Sequence, residues 1–191
     1  GRLLACFAAL AGAAGLAGAA FVAGLAAAGA PAGRPEGAGN PAAPKNAVWR
    51  ALEPGLDLGE FASPRPSRRG DSIVRALRVD PKHFELRLLN ASAPEQGRAL
   101  TAREWCARSG LSAAVNASMY QADHRTSVSL MRTSTHTNNP RLSKDRAILA
   151  FDARGADAAP VMIIDRECDD FEAMRGRYGT LVQSIRMLSC K

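Results

Sequence analysis

The first 44 residues of this chain restrict what the rest of it can fold into. Residues 3–30 are 28 amino acids without a charge, mostly Ala, Gly and Leu, and residues 31–44 are rich in Pro, Gly and Ala. Segments of such composition contribute little to a packed core, so we expect the folded part over residues 48–191. About 145 residues are enough for one domain that buries roughly two thirds of its surface.

Two interpretations of the apolar segment stay open. Residues 1–30 are either a secretory signal peptide, cleaved after a small-x-small site such as Ala26–Ala28, or an uncleaved membrane anchor. Either one exports the following domain, which would be periplasmic, extracellular or membrane-anchored. Residues 31–47 then form a flexible linker. Because the chain begins at Gly1 and stops at Lys191, just after an apolar run, we expect a domain truncated at its C-terminus.

The positive charge of the chain is not arranged as in a nucleic-acid-binding protein. Its 25 basic and 18 acidic residues give a formal net charge of +7, and the two signs are interspersed. Aromatic residues make up only 5% of the chain, too few for a series of base-stacking platforms. We therefore expect no nucleic-acid partner.

Three cysteines follow the leader, at positions 106, 168 and 190. No C-x-x-C spacing indicates zinc or a redox pair, and an odd number leaves at most one bridge within the domain. The alternative to a bridge is that all three stay free and pack as small buried hydrophobic residues. Cys168 and Cys190 flank a predicted helix and the strand that returns from it, and export permits oxidation. We predict a disulfide between them.

Hydrophobic periodicity and capping residues predict the first elements of the domain. Ile73–Val79 and Phe84–Leu88 alternate around a turn at residues 80–83, which predicts a β-hairpin. Thr101–Glu104 is a capping box at the start of a helix, and Gly110 is placed to end that helix.

The later elements mix strands and helices. We predict a short strand over residues 111–115, strands over 146–151 and 161–164, a helix from Asp170 to Gly179, and a last strand over 180–188. Without regular βαβ alternation, the fold class is α+β, with a mixed or antiparallel sheet and a few helices. In a truncated domain, we expect the last strand to leave one apolar face uncovered, that of Leu181, Ile185 and Met187.

A polar segment at residues 119–143 is the clearest candidate for a functional loop, because it holds few large apolar side chains. Asn116 precedes it at the end of an apolar run, as a turn residue or as an amide that binds a ligand. Gln183 interrupts the apolar stripe of the last predicted strand. A buried amide needs hydrogen-bond partners, which for Gln183 are either backbone groups or a ligand.

Charged residues supply further candidates. Asp165 follows the apolar run 161–164 and is an acid–base candidate for glycosidic chemistry. Arg132 is suited to a bidentate phosphate contact, although a solvated surface charge is the simpler interpretation. His124 and His136 are twelve residues apart, which is not a metal-ligand spacing, and we predict no metal site. The sequence has no phosphate-binding loop, nucleophile elbow or H-E-x-x-H motif, and it does not identify a cofactor.

The segment Ala-Ala-Val-Asn-Ala-Ser-Met-Tyr at residues 113–120 resembles the strand-end motif of the phosphodiester glycosidase domain family. This family includes the enzyme that removes N-acetylglucosamine from a phosphodiester to uncover mannose phosphate, and bacterial proteins associated with exopolysaccharide biosynthesis. The resemblance continues in residues 127–131, 147–152 and 180–184, and it spans roughly residues 73–191.

This resemblance implies an α+β fold and an exported hydrolase that cleaves sugar-1-phosphodiester linkages in envelope or exopolysaccharide glycans. It implies these substrate-binding residues: Asn116, Tyr120, Arg132, Gln183 and Ser184. Asn116 and Gln183 would position sugar hydroxyls, Arg132 would offset the phosphate charge, and Asp165 would act in acid–base catalysis. Where the family has Asn-Gly-Gly, this chain has Asn116-Ala117-Ser118. The missing glycines keep open an alternative, a non-catalytic envelope module that binds glycans.

Overall fold

The computed structural model describes residues 2–6, 48–187 and Cys190. Apart from residues 2–6, the predicted leader over residues 1–30 lies outside the described residues, as does the predicted linker over 31–47. Within the described part, no helix is both long enough and apolar enough to cross a membrane. Among the described residues, 48–84 belong to one compact unit, and 2–6 together with 85–187 and Cys190 belong to another. The single domain expected over residues 48–191 stays a prediction.

The unit that contains residues 48–84 is a three-stranded antiparallel sheet. Its strands are β2 (Val48–Glu53), β3 (Leu56–Ala62) and β4 (Ile73–Val79), with β3 in the middle. Gly55 lies in the tight turn between β2 and β3 with a left-handed φ of 82°, a conformation that favours glycine. Leu56 and Leu58 alternate along β3 and are buried.

The predicted hairpin over residues 73–88 is wrong in its pairing, although both of its strands exist. β4 pairs with β3, and β5 (Phe84–Leu88) pairs with β1 (Arg2–Cys6) in a separate two-stranded sheet. The carbonyl of Asp80 accepts hydrogen bonds from the backbone N–H groups of His83 and Phe84. This turn is helical in type.

Helix α1 (Ala102–Ser109) confirms the capping prediction. The Thr101 hydroxyl accepts from the backbone N–H of Glu104, and the Glu104 carboxylate accepts from the backbone N–H of Thr101. Gly110 ends the helix in a left-handed conformation. Trp105 is buried in one cluster with Leu100 and Leu111, so the helix packs through its first turn.

A five-stranded antiparallel sheet dominates the unit that contains residues 85–190, and the α+β class is confirmed. Its strands run in the spatial order β7, β6, β10, β8, β9. Their bounds are β6 (Met131–Arg132), β7 (Thr137–Asn139), β8 (Ala147–Ala153), β9 (Val161–Asp165) and β10 (Tyr178–Ser184). The short helix α2 (Phe171–Met174) begins after the N-cap Asp170, and a 3-10 turn follows at Arg175–Arg177.

Three element predictions need correction. Residues 111–115 form no strand, and the predicted second helix stops at Met174. The last strand ends at Ser184 and lies in the middle of its sheet, between β6 and β8. Leu181 is therefore fully buried, and the prediction of an uncovered last strand is wrong for this residue.

Each face of the five-stranded sheet carries its own core. Leu181 and Val182 are consecutive in β10, so their side chains point to opposite faces. Val182 packs with Met131 and Phe151, whereas Leu181 packs with Ile148 and with other residues that include Phe171 of α2. Because both faces are apolar, any polar side chain on β10 must find a partner close to the sheet.

Candidate functional site

The four segments that carry the family resemblance lie side by side around β10. β10 pairs with β8 along its length and with β6 at Leu181 and Val182. The backbone N–H of Gln183 donates to the carbonyl of Leu130 over 2.8 Å. The Ser118 hydroxyl donates to the carbonyl of Gln183 over 3.0 Å, which ties the Asn116–Tyr120 segment to the same strand.

The Gln183 side chain is fully buried, and its amide is saturated by backbone groups. Its Nε2 donates to the carbonyls of Ser143 (3.2 Å) and Asp145 (2.5 Å). Its Oε1 accepts from the backbone N–H groups of Ser143 (3.0 Å) and Leu130 (3.4 Å). A side-chain amide has two donors and two acceptor positions, and all four are used here. The interpretation of Gln183 as a direct sugar ligand is therefore replaced: Gln183 holds the loop at residues 143–145.

Arg132 also donates to backbone groups. Its guanidinium contacts the carbonyls of Arg175 (3.0 Å), Tyr178 (3.4 Å) and Gly179 (3.2 Å). Burial lowers the pKa of Arg132, and the charges of Arg154 and Arg175 lower it further. Because its terminal nitrogens donate to these carbonyls, Arg132 clamps the backbone of residues 175–179, and its role as a phosphate ligand stays a prediction.

Arg132 and Ser184 do not converge on one site. The Arg132 guanidinium reaches Gly179 near the start of β10, and Ser184 is the last residue of that strand. Five residue steps along a strand correspond to about 17 Å. A single sugar-1-phosphate group does not span that distance, so the predicted set of substrate ligands is divided between the two ends of β10.

Asp165 lies at the Ser184 end of the sheet and is engaged in ionic contacts. The backbone N–H of Glu167 donates to its carboxylate over 3.0 Å, and Arg186 contacts it over 3.1 Å. The Glu167 N–H and then the Arg186 guanidinium lower the pKa of Asp165, although burial opposes them. A general acid must hold a proton near the operating pH, which a lowered pKa disfavours, and the acid–base role of Asp165 stays a prediction.

Glu167 joins Asp165 in a wider network. Its carboxylate makes ion pairs with both Arg186 and Arg146. Next to this network, Cys168 and Cys190 form a disulfide with their Cα atoms 6.5 Å apart. The carboxylate of Asp165 lies within 4.8 Å of both sulfur atoms, but disulfide sulfurs lack the thiolate charge that a metal ion requires. The ion pairs and the disulfide at the Ser184 end of the sheet therefore have a structural role.

Two of the predicted residues keep polar atoms that a ligand can use, and a third, Tyr120, lies beside the core. The Asn116 amide donates only to the carbonyl of Ser118 (3.3 Å), and its Oδ1 has no partner among the described residues. The Ser184 hydroxyl likewise has no hydrogen-bond partner within the described ranges, and its side chain is half-buried. Tyr120 packs partly on the core and forms an isolated bridge with Ser127.

The functional loop predicted over residues 119–143 is ordered by its own polar side chains. Asn138 Oδ1 accepts from the backbone N–H of Ser127 (2.7 Å), and Asn139 Nδ2 donates to the carbonyl of Ser127 (2.7 Å). Outside this loop, Arg166 donates to the carbonyls of Ser143 and Asp145, the same groups that Gln183 holds. The role of Arg166 was not anticipated, because no local pattern relates it to a loop more than twenty residues away.

Comparison with known protein families, with curated proteins and with solved structures finds no match to this chain.

Proposed function

We propose that this protein is a hydrolase of the phosphodiester glycosidase type that cleaves sugar-1-phosphodiester linkages in envelope or exopolysaccharide glycans. One observation carries the proposal. The four segments that resemble the family are separated by up to about 60 positions in the sequence, yet they meet around β10. From the leader we also infer export, to the periplasm, the exterior or a membrane-anchored position.

In this proposal the substrate lies at the Ser184 end of β10. Asn116 Oδ1 and the Ser184 hydroxyl supply polar atoms that no described group occupies, and they suit sugar hydroxyls. Tyr120 adds an aromatic side chain from the same segment as Asn116. Gln183 acts indirectly, because its amide fixes the loop at residues 143–145.

The test is hydrolysis of a panel of sugar-1-phosphodiesters by the full chain, with the released sugar measured. We expect Asn116→Ala and Ser184→Ala each to lower the rate by about tenfold, because each removes one substrate hydrogen bond. Ser63→Ala is the matched control, since the Ser63 hydroxyl bonds to the Arg65 carbonyl in the other unit. Absence of released sugar from every diester, or full activity of Asn116→Ala, would contradict the proposal.

A second candidate function, non-catalytic glycan binding, is favoured by an aromatic patch in the unit of residues 48–84. Trp49 is 38% exposed on the three-stranded sheet and packs edge-to-face with Phe61 at 5.8 Å. The indole lies on Gly59, where a Cβ would come within 2.9 Å of Trp49 Cζ3. Arg78 contacts the ring at 4.7 Å from its centroid and pairs with Asp57.

Aromatic rings held against a sheet are suited to the apolar faces of sugar rings. Under this alternative, Trp49→Ala weakens the retention of the full chain in polysaccharide affinity electrophoresis, while Lys82→Ala does not. If both variants are retained equally and the chain hydrolyses phosphodiesters, the result favours the enzyme over the glycan-binding module.

A further inference from the structure

A serine and a histidine 44 positions apart in the sequence meet at hydrogen-bond distance. The Ser92 hydroxyl oxygen lies 2.9 Å from Nε2 of His136, and both side chains are half-buried. Nδ2 of Asn138 donates to the same Ser92 oxygen over 2.7 Å. A nucleophile within 2.6–3.2 Å of a base is the arrangement that activates serine.

The direction of the Ser92–His136 hydrogen bond depends on the tautomer of His136. Asn138 Nδ2 can only donate, so the Ser92 oxygen accepts there and keeps its own hydrogen to give. His136 Nε2 receives that hydrogen when the ring proton is on Nδ1. Nδ1 has no partner in the part of the chain that the structure describes, so the pair is a dyad and not a triad.

Both residues are held by local turns. The backbone N–H of His136 donates to the Thr133 hydroxyl over 2.9 Å, and the backbone N–H of Thr133 donates to the carbonyl of His136 over 2.8 Å. Ser92 lies in a turn closed by the hydrogen bond from the N–H of Ala93 to the carbonyl of Asn90. A catalytic pair needs such fixed positions, because small displacements of reacting atoms cost rate.

A second observation points to a ligand at this turn. Asn90 is 6% exposed, and its Nδ2 donor has no hydrogen-bond partner among the described residues. A buried donor without a partner is costly, and catalytic sites are one setting in which such donors persist. Asn90 is two residues from Ser92, in the same turn, and we assign to its Nδ2 the role of donor to a negatively charged oxygen.

We propose that Ser92 and His136 form a nucleophile–base dyad that hydrolyses small carboxylic esters, an activity separate from the proposed phosphodiester chemistry. Ser92 Oγ attacks the ester carbonyl carbon, and its proton passes to His136 Nε2. The carbonyl oxygen becomes an oxyanion that accepts a hydrogen bond from Asn90 Nδ2. The C–O bond to the alcohol then breaks, and the alcohol leaves with the proton from His136. Water, deprotonated by His136, cleaves the acyl-serine and restores both residues.

The first test uses the unmodified full chain. A fluorophosphonate probe reacts with an activated serine, which displaces fluoride, and peptide mass spectrometry locates the adduct. We expect the adduct on Ser92 and none on Ser67, an exposed serine whose hydroxyl contacts, among the described residues, the backbone N–H of Arg69 alone. An unlabelled Ser92 in folded protein, or equal labelling of Ser67, overturns the proposal without any variant having to fold.

The second test measures hydrolysis of p-nitrophenyl acetate. Ser92→Ala and His136→Gln are each expected to lower kcat by about 100-fold or more, while Ser67→Ala leaves it unchanged. Asn90→Ala is expected to lower kcat with KM unchanged, because its contact forms with the oxyanion and not with the bound ester. A folded His136→Gln variant that reacts with ester and probe as fast as the unmodified chain removes the base from the mechanism.

Discussion

The two ends of β10 are held in different ways. At the Tyr178 end, Arg132 donates to backbone carbonyls, and the Asp152 side chain lies against Gly179. At the opposite end, the neutral amide of Gln183 holds one loop. A second loop is held by two separate features, the ion pair of Arg186 with Asp165 and the disulfide. Polar groups on this strand therefore serve irregular backbone beside the sheet. We expect the neutral buried contacts, the covalent tie and the partly buried ion pairs to stabilise this strand to different extents.

The largest effect is expected for Gln183→Leu. This change leaves the N–H groups of Ser143 and Leu130 without their partner in a buried setting, where each unsatisfied group costs about 1–3 kcal/mol. We expect the free energy of unfolding to fall by about 4 kcal/mol, measured by urea denaturation of the full chain. Gln121→Leu is the control, because Gln121 is exposed and its amide makes one hydrogen bond among the described residues, to the Ser127 carbonyl. Equal losses in both variants would show that Gln183 is not a special tie.

The disulfide is expected to have the next largest effect. Cys168 and Cys190 are separated by 22 residues, and closing a loop of that length stabilises a protein by about 3 kcal/mol in the chain-entropy view. The double change Cys168→Ser and Cys190→Ser should lower the urea midpoint accordingly. Cys106→Ser should not, since that cysteine is free. If peptide mapping without reductant finds Cys106, Cys168 and Cys190 all as free thiols, no disulfide holds this end of β10.

Gly179→Ala tests the Tyr178 end. A Cβ at this position would overlap the Asp152 carboxylate and come within 2.7 Å of its Cγ, so the Asp152 side chain must move. Asp152 itself has a left-handed φ of 61°. We expect a loss of about 2 kcal/mol, smaller than for Gln183 because Asp152 is exposed.

The double change Gly179→Ala and Asp152→Gly should restore most of that stability, since glycine accepts the left-handed backbone and removes the overlap. Thermal unfolding of the four proteins in this cycle measures the coupling. Additive effects of the two changes would show that the Asp152 contact does not hold this end of β10.

The smallest effect is expected from the Asp165–Arg186 ion pair, and it depends on pH. The pKa of Asp165 is lowered in the folded protein, below the unfolded value of about 3.9. Its contribution is therefore complete above about pH 4 and is lost as the pH falls through the folded-state pKa. Asp165→Asn should be less stable than the unmodified chain at pH 7, and this gap should shrink as the pH falls through the folded-state pKa of Asp165. Asp157→Asn is the exposed control; a gap for Asp165→Asn that does not shrink on acidification would contradict an ionic origin.

How much the sequence predicts differs from element to element. The cap of α1 was predictable because Thr101 and Glu104 satisfy each other within one turn. The pairing of β4 and β5 was not, because a strand can take a partner that is distant in the chain, as β5 does with β1. The same limit applies to the Ser92–His136 pair, whose members are 44 positions apart.

For the candidate site, local pattern determined which residues were unusual, and tertiary contacts determined what they do. An amide at Gln183 within an apolar stripe required partners, but only the packing of residues 143–145 beside β10 made those partners backbone groups. Arg132 and Asp165 were identified by type, and the fold directed one to carbonyls and the other to Arg186. Side-chain chemistry and helix capping are encoded over a few residues. The partner of a buried polar group is chosen among all the groups that folding brings within about 3 Å, and the tertiary structure makes that choice.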